Sequence, residues 1–289
     1  QEDGSFRVSE LILPELAPQP ALPDATREAK YIALVSGLTV GTENSNPLPT
    51  QLLVDYICGN LGSQKEQELC SRIVRVVIAG DSFSGLDKVP LSSAVKDNQQ
   101  HRVTAPCRDL DMVLSELASA VPVDVMAGPN DPANRALPQQ PLHLCLVPTA
   151  AQYSTYKPVT NPYSFSCDEV KFLGSSGQNI DDMFKYSTVE SRVDLLESCV
   201  RWRHIAPTAP DTVPCYPFKD MDPFVMTESP HVFFAGCQPK FETKLYQDGS
   251  GKSVRLVCVP RFDTTKTLVL VNLASLECHA MSFLDKVSV

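Results

Sequence analysis

The sequence is poor in basic residues and has neither a long hydrophobic run nor closely spaced cysteines. Its 25 Lys and Arg are outnumbered by 34 Asp and Glu, which gives a formal net charge of −9. Proteins that grip nucleic acid with their own surface usually present a basic face, so strong direct contact with DNA is disfavoured. No apolar run reaches the roughly 18 residues that a membrane span requires, and we expect no membrane partner.

The ten cysteines are too far apart for a zinc ribbon. Successive cysteines are at least twelve residues apart, whereas structural zinc sites use pairs about two to four residues apart. The sequence also contains no N-x-S/T acceptor for N-glycosylation. These features favour free thiols in a reducing compartment, either the cytosol or the nucleus.

Three segments differ in composition. Residues 1–13 include an alternating stretch, GSFRVSELIL, that begins without any preceding cap and predicts the last strand of a preceding domain. Residues 14–29 are rich in proline, which removes hydrogen-bond donors and stiffens the chain, so they predict an extended linker. Residues 30–289 are predicted to form one domain.

The pattern within this domain predicts an α/β fold. Continuous apolar runs at 31–35, 73–79 and 123–127 predict buried strands, and helical spacing at 49–61 and 109–120 places helices between them. This β-α-β-α-β order implies neighbouring parallel strands. The second half predicts a helix at 189–202, a buried strand at 231–235, and antiparallel pairs at 163–167 with 170–173, 244–246 with 254–259, and 267–273 with 275–283. The two halves together predict a sandwich of two sheets.

Four predicted strands end in a glycine-containing turn, and ligands of α/β sheets lie beyond such strand ends. The four ends read VSGLT, AGDSFS, AGPND and AGCQP. Their layout resembles that of the calcineurin-like metallophosphoesterases, whose strand ends carry D-x-H, G-D-x-x-D, G-N-H-(D/E) and G-H-x-H. In that family these carboxylate, amide and imidazole groups hold two metal ions. The resemblance implies a two-sheet phosphoesterase sandwich.

Most of the corresponding metal-ligand positions carry other residue types in this sequence. Asp81 keeps the carboxylate of the second strand end, and Asp131 keeps that of the third. The resemblance therefore implies a degenerate site with no catalytic residue, no cofactor and no bound metal. The former metal-site positions are Gly37, Thr39, Asp81, Ser84, Pro129, Asn130, Asp131, Cys237 and Pro239.

Each retained polar group also has a structural interpretation, which we favour. A carboxylate that follows glycine at a strand end, such as Asp81, often caps the turn. Asp131 precedes proline and is typical of turn chemistry as well. A lone histidine such as His204 is expected to form structural hydrogen bonds, and Cys237 is expected to be a packed thiol.

Longer segments resemble the B-subunits of eukaryotic replicative DNA polymerases. VPVDVMAG at 121–128 and LPQQPLH at 137–143 are similar to the B-subunit signature around the third strand. TNPY at 160–163, GSSGQNI at 174–180 and RHIAPTAPDT at 203–212 resemble the polymerase delta branch of that family in particular. GSFRV at 4–8 looks like the closing strand of that family's OB domain, which would account for residues 1–13.

The resemblance implies a non-catalytic scaffold in the nucleus that acts in DNA replication and repair. Its expected partners are the Cys-rich C-terminal domain of the catalytic subunit of DNA polymerase delta and the N-terminal domain of a third subunit, with DNA contact indirect or weak. Two alternatives stay open at this stage. One is an active metallophosphoesterase with atypical ligands, and the other is a B-subunit of DNA polymerase alpha or epsilon.

Overall fold

A computed structural model describes residues 4, 7–10, 14–22, 27–41, 46–83 and 97–283, with residues 97–103 described by their backbone alone. Strands and helices alternate along this part of the chain. In chain order they are β1 (Tyr31–Val35), α1 (Leu48–Ile57), α2 (Gln64–Cys70), β2 (Ile73–Ala79), α3 (Asp97–Ala120), β3 (Val123–Met126), β4 (Tyr156–Val159), β5 (Tyr163–Cys167), β6 (Val170–Ser175), α4 (Gln178–Tyr186), α5 (Arg192–Trp202), β7 (Val232–Gln238), β8 (Glu242–Gln247), β9 (Ser253–Pro260), α6 (Phe262–Thr265), β10 (Thr267–Asn272) and β11 (Cys278–Ser282).

The strands form two sheets within the described ranges. The first has the order β11-β10-β1-β2-β3-β4 and the second the order β5-β6-β7-β9-β8. Strands β1 to β4 run parallel, and β10 closes on β1 in the antiparallel direction. The predicted α/β sandwich of two sheets, with its parallel β-α-β-α-β half, is confirmed.

Both faces of the central strands are buried, which explains their continuous apolar sequences. In β2, Val77 and Ala79 point into the core between the two sheets, whereas Val76 and Ile78 point toward the helices that cover the first sheet. This alternation follows from the two-residue period of a strand. Helices α1 and α3 cover the first sheet, and α4 and α5 cover the second. The result is a four-layer sandwich.

Several helices and strands differ from the sequence predictions. The helix predicted at 49–61 ends at Ile57, and the separate α2 follows it. Helix α3 starts at Asp97 instead of residue 109, so Pro106 lies inside it. Strand β4 and helix α4 were not predicted as separate elements. No helix in the described part of the chain is both long enough and apolar enough to cross a membrane.

The proline-rich segment 14–22 has neither helix nor strand and is docked on the domain. Leu16 and Ala17 are buried, and Leu16 belongs to the core beneath α4 and α5. The side-chain amide of Gln19 donates to the carbonyls of Pro230 (2.8 Å) and Ser253 (2.7 Å). We call residues 14–22 the strap. Residues 7–10 lie in no strand of the described chain, so the OB-domain strand stays a prediction.

Candidate functional site

The turns that follow β1, β2 and β3 meet the end of β7 at one edge of the sandwich. The backbone N–H of Thr39 donates to the carbonyl of Asp81 at 3.0 Å and joins the first two turns. The N–H of Cys237 donates to the Ser36 hydroxyl at 2.8 Å and links the second sheet to the first. We call this group the strand-end site; it comprises Gly37, Thr39, Asp81, Asn130, Asp131, Cys237, Arg261 and Asp263.

Asp81 lies at the centre of the strand-end site, and its side chain is fully buried. Its Oδ1 accepts the backbone N–H of Asn130 at 3.0 Å, and its Oδ2 accepts the side-chain amide of Asn130 at 2.9 Å. The guanidinium of Arg261 adds an ion pair, with Nη1 2.7 Å from Asp81 Oδ2. Asp81 therefore caps the turn after β3, whereas the sequence suggested its own turn, and it also has a counter-ion that the sequence did not suggest.

Asp131 is a second buried carboxylate in the same site and has no ion pair among the described residues. Its Oδ1 accepts the N–H of Phe83 at 2.9 Å, and its Oδ2 accepts the N–H of Gly128 at 2.8 Å. Burial raises the pKa of Asp131 to about 6, and the neighbouring charge of Asp81 adds to that effect. The turn role expected for Asp131 agrees with these backbone contacts.

The other former metal-site positions vary in exposure. Cys237 is buried, and burial raises the pKa of its thiol well above the ordinary value, which suits a packed cysteine. Pro129 and Pro239 are exposed beside the site. Ser84 lies outside the described residues. Whether these positions descend from a metal site stays a prediction.

Three of the non-glycine residues of the site adopt the left-handed backbone conformation. The φ angles are 46° for Thr39, 53° for Asp81 and 54° for Cys237. This conformation is uncommon outside glycine and costs of the order of 1 kcal/mol or more per residue. Strain of this kind persists only where surrounding contacts fix the backbone. Here the N–H of Thr39 bonds to the carbonyl of Asp81, and the N–H of Cys237 bonds to the hydroxyl of Ser36.

Arg261 and Asp263 complete the site, and sequence reasoning missed both. They follow β9, the strand next to β7, and lie where the ends of the two sheets approach each other. Arg261 binds Asp263 as well as Asp81, with Nε and Nη2 3.2 and 3.1 Å from the two oxygens of Asp263. Although burial disfavours the charged form of Arg261, these hydrogen bonds raise its pKa. The sequence signal that could have identified both residues is the position of PRFD, residues 260–263, at the end of the buried strand β9.

A polar network beside the site connects four of the sequence segments that resemble B-subunits, those at 121–128, 137–143, 160–163 and 174–180. Asn161 donates through Nδ2 to the side-chain oxygens of Gln139 (2.7 Å) and Gln178 (3.0 Å). Its own Oδ1 accepts the N–H of Ser176 at 3.0 Å, and the Ser176 hydroxyl donates to the carbonyl of Ala127. These bonds join the turn after β3 to the turn after β6. The network therefore fixes the strand-end loops of both sheets relative to each other.

His204 and Trp202 lie away from the strand-end site. His204 Nε2 is 2.8 Å from Asp222 Oδ2, and this hydrogen bond fits the structural role expected for a lone histidine. Trp202 is half exposed at the end of α5. Neither residue contributes to the chemistry of the strand-end site.

The carboxylates of the site are not available as ligands for a pair of metal ions. Both oxygens of Asp81 are engaged by Asn130 and Arg261, and both oxygens of Asp131 by backbone amides. A divalent cation would have to displace a bound guanidinium or break backbone hydrogen bonds to reach either carboxylate. Among the described residues there is also no group of three or more His, Cys, Asp and Glu arranged to hold a metal ion.

Comparison with known proteins agrees with the sequence resemblance. A family model that describes the B-subunit of DNA polymerases alpha and epsilon matches residues 32–243. The DNA polymerase delta small subunit of Arabidopsis thaliana is 47% identical over 285 residues, which are 99% of this chain and 65% of that protein. DNA polymerase delta subunit 2 of Drosophila melanogaster is 38% identical over 97% of this chain and 65% of its own length. The chain thus spans slightly less than two thirds of these relatives.

Among solved structures, an archaeal phosphodiesterase aligns with a TM-score of 0.41 and 10% identity, covering 87% of this chain and 98% of that one. The predicted resemblance to polymerase B-subunits is confirmed by the family match, which includes β1 to β7, the strand-end turns and the polar network. The chain belongs to the DNA polymerase alpha/epsilon B-subunit family.

Proposed function

We propose that this chain is a non-catalytic scaffold subunit of DNA polymerase delta, acting in the nucleus during DNA replication and repair. In this proposal it holds the Cys-rich C-terminal domain of the catalytic subunit together with the N-terminal domain of a third subunit. The observation that carries the proposal is the 47% identity over 285 residues to a DNA polymerase delta small subunit. Identity along nearly the whole chain favours the delta type over the alpha and epsilon alternatives.

The geometry of the strand-end site supports the non-catalytic part of the proposal. Arg261 places a fixed positive charge 2.7 Å from Asp81, the carboxylate at the end of β2. A phosphoesterase would need this carboxylate free to bind a metal. We propose that the site now stabilises the fold and that the former metal-site positions have no catalytic role.

The surface supports an assembly role. The loop at 215–226 exposes Tyr216, Phe218 and Met221 to solvent, with Met221 72% exposed. Aromatic residues and methionine are enriched in protein interfaces. The loop is anchored rather than free, because the N–H of Tyr216 donates to the carbonyl of Leu137 at 2.9 Å and Asp222 binds His204. The formal net charge of −9 agrees with DNA contact made mainly by other subunits.

Co-purification tests this proposal directly. The full-length protein would be co-expressed separately with the tagged C-terminal domains of the delta, alpha and epsilon catalytic subunits. We expect a stable, stoichiometric complex with the delta domain. Binding to the alpha or epsilon domain alone would refute the delta assignment, and binding to none of the three would refute the scaffold role.

A second experiment addresses the phosphoesterase alternative. Metal content and phosphodiesterase activity would be measured for the purified wild type and for Asp81→Ala. We expect neither stoichiometric metal nor turnover in the wild type. Bound metal together with an activity that Asp81→Ala abolishes would overturn the non-catalytic assignment.

A further inference from the structure

We infer that the strand-end site is a binding pocket for a guanidinium group, which the side chain of Arg261 fills from within the chain. The pocket has two anionic walls, Asp81 on one side and Asp263 on the other. Its ligand class is a planar cation with hydrogen-bond donors on two edges. This inference concerns the stability of the chain itself and does not depend on the proposed assembly.

The hydrogen-bond geometry matches a planar fork. Nε and Nη2, on one edge of the guanidinium, lie 3.2 and 3.1 Å from the two oxygens of Asp263. Nη1 lies 2.7 Å from Asp81 Oδ2. A bidentate contact on one edge and a single contact on another require the rigid fork of arginine, and the point charge of lysine cannot reproduce both.

The stem of Arg261 fits because residue 37 is glycine. A Cβ atom built on Gly37 would lie 3.2 Å from both Cα and Cβ of Arg261 and 3.3 Å from its Cγ. These distances are tighter than ordinary van der Waals contact, and Gly37 also has a φ of +63°. The absence of a side chain at residue 37 therefore makes room for the cation at residue 261.

The walls of the pocket are held independently of the Arg261 side chain. Asp81 is fixed by the two amide groups of Asn130. The backbone N–H of Asp263 donates to the carbonyl of Gly37 at 2.9 Å, and that of Arg261 donates to the carbonyl of Gln238 at 2.8 Å. Shortening Arg261 should therefore leave a preformed vacancy instead of a collapsed loop.

The charge of Arg261 compensates the buried negative charge of Asp81. The Asp81 side chain is fully buried, and the Arg261 side chain is 27% exposed. Removing one partner of a buried ion pair leaves the other charge uncompensated and is strongly destabilising. For a chain of this size we expect Arg261→Ala to lower the melting temperature by about 5–10 °C. A matching external cation should restore part of that loss.

Chemical rescue with methylguanidinium tests the pocket. Thermal unfolding of the full-length wild type, Arg261→Ala and Arg255→Ala would be measured over a methylguanidinium titration. Arg255 is the matched control because its Nε donates to the carbonyl of Leu276 (2.7 Å) instead of to carboxylates. Methylguanidinium at about ten times its dissociation constant should raise the melting temperature of Arg261→Ala alone by about 3–5 °C.

The outcomes separate a guanidinium pocket from a general cation site. Equal responses of Arg261→Ala and Arg255→Ala would overturn the inference, as would stabilisation by Mn²⁺ that matches that by methylguanidinium. Should Arg261→Ala fail to fold, Arg261→Lys replaces it, since it retains the charge but not the fork. A melting temperature for Arg261→Lys equal to that of the wild type would also overturn the inference, because a point charge would then suffice.

Discussion

Two buried aspartates within one site are stabilised in different ways. Asp81 has an arginine counter-ion, whereas Asp131 has backbone amides alone among its described hydrogen-bond partners. Amide donors offset only part of the cost of burying a charge. Burial therefore raises the pKa of Asp131 to about 6, which makes stability depend on pH.

We predict that ionisation of Asp131 destabilises the fold between about pH 4 and pH 6. Its pKa is raised from 3.8 to about 6 in the folded chain, so the native state holds the proton more tightly than the unfolded state. Protonated Asp131 contributes its full stabilisation of about 3 kcal/mol below pH 3.8, the pKa of Asp131 in the unfolded chain. This stabilisation is lost as the pH rises through about 6, the pKa in the folded chain.

The comparison with Asp131→Asn isolates this effect, because the amide does not titrate. The free energy of unfolding of the wild type minus that of the variant should decrease from pH 4 to pH 7. A difference that stays flat across this range would contradict the prediction. Carboxylates that do not interact with Asp131 titrate alike in both proteins and cancel.

Gly128 is a position where any side chain should disrupt the site. A Cβ atom there would lie 2.2 Å from the backbone nitrogen of Asp81 and 2.6 Å from its Oδ1. We expect Gly128→Ala to reduce the free energy of unfolding by about 2–3 kcal/mol, measured by denaturant titration. Gly249→Ala is the control, since a Cβ atom added at Gly249 would have no atom of a non-neighbouring residue within 4 Å. Its effect should stay within about 0.5 kcal/mol. Similar effects at the two positions would contradict the close packing.

At the scale of elements, the strap is part of the domain and not a free spacer. Leu16 of the strap is buried beneath α4 and α5. The N–H of Ser229 donates to the carbonyl of Pro18 at 3.0 Å. The imidazole of His231 lies 3.0 Å from the carbonyl of Pro20 through its Nε2. Proline stiffens the strap, which reduces the entropy lost when it docks.

We predict that Leu16→Ala destabilises the domain by about 2–4 kcal/mol, because Leu16 is 3% exposed and its loss leaves a cavity. Leu22→Ala is the matched control in the same segment, where the side chain is 42% exposed. Thermal or denaturant unfolding would measure both. Equal, small effects would show that the strap contributes little to the core.

The sequence allowed the buried elements to be predicted better than the others. Runs such as 73–79 are apolar on both faces, which marks central strands clearly. Strand β4 has four residues and contains Pro158, and α2 reads QKEQELC, so neither shows a strong period. The strand-end turns were predicted as a site, but Arg261 was not. Its role depends on the approach of the ends of β7 and β9 to those of β1 and β2, which no local pattern records.

On the scale of the whole molecule, the loop at 215–226, with Tyr216, Phe218 and Met221 exposed, is the feature that an isolated domain would not require. Clustered apolar side chains on a surface usually mark an interaction site. We predict that the double variant Phe218→Asp and Met221→Asp weakens binding to the proposed polymerase partners by about tenfold or more. Because both side chains are exposed, the melting temperature should change little.

The control for this variant is Leu245→Asp, which changes another exposed apolar residue, on β8. Affinity would be measured by titration of the partner domains against each full-length variant. An equal loss of affinity for the control, or no loss for the double variant, would contradict a role of the 215–226 loop in assembly.

The pairing of β1 with β10 has a consequence for synthesis on the ribosome. Tyr31 lies opposite Asn272, so β1 cannot pair with β10 until about 240 further residues have been synthesised. Until that strand emerges, one edge of the parallel sheet has unpaired backbone groups, and such edges promote aggregation. A nascent chain or a product truncated before residue 267 would expose that edge, so the protein should be most prone to aggregation late in translation, after most of the core sequence has been made.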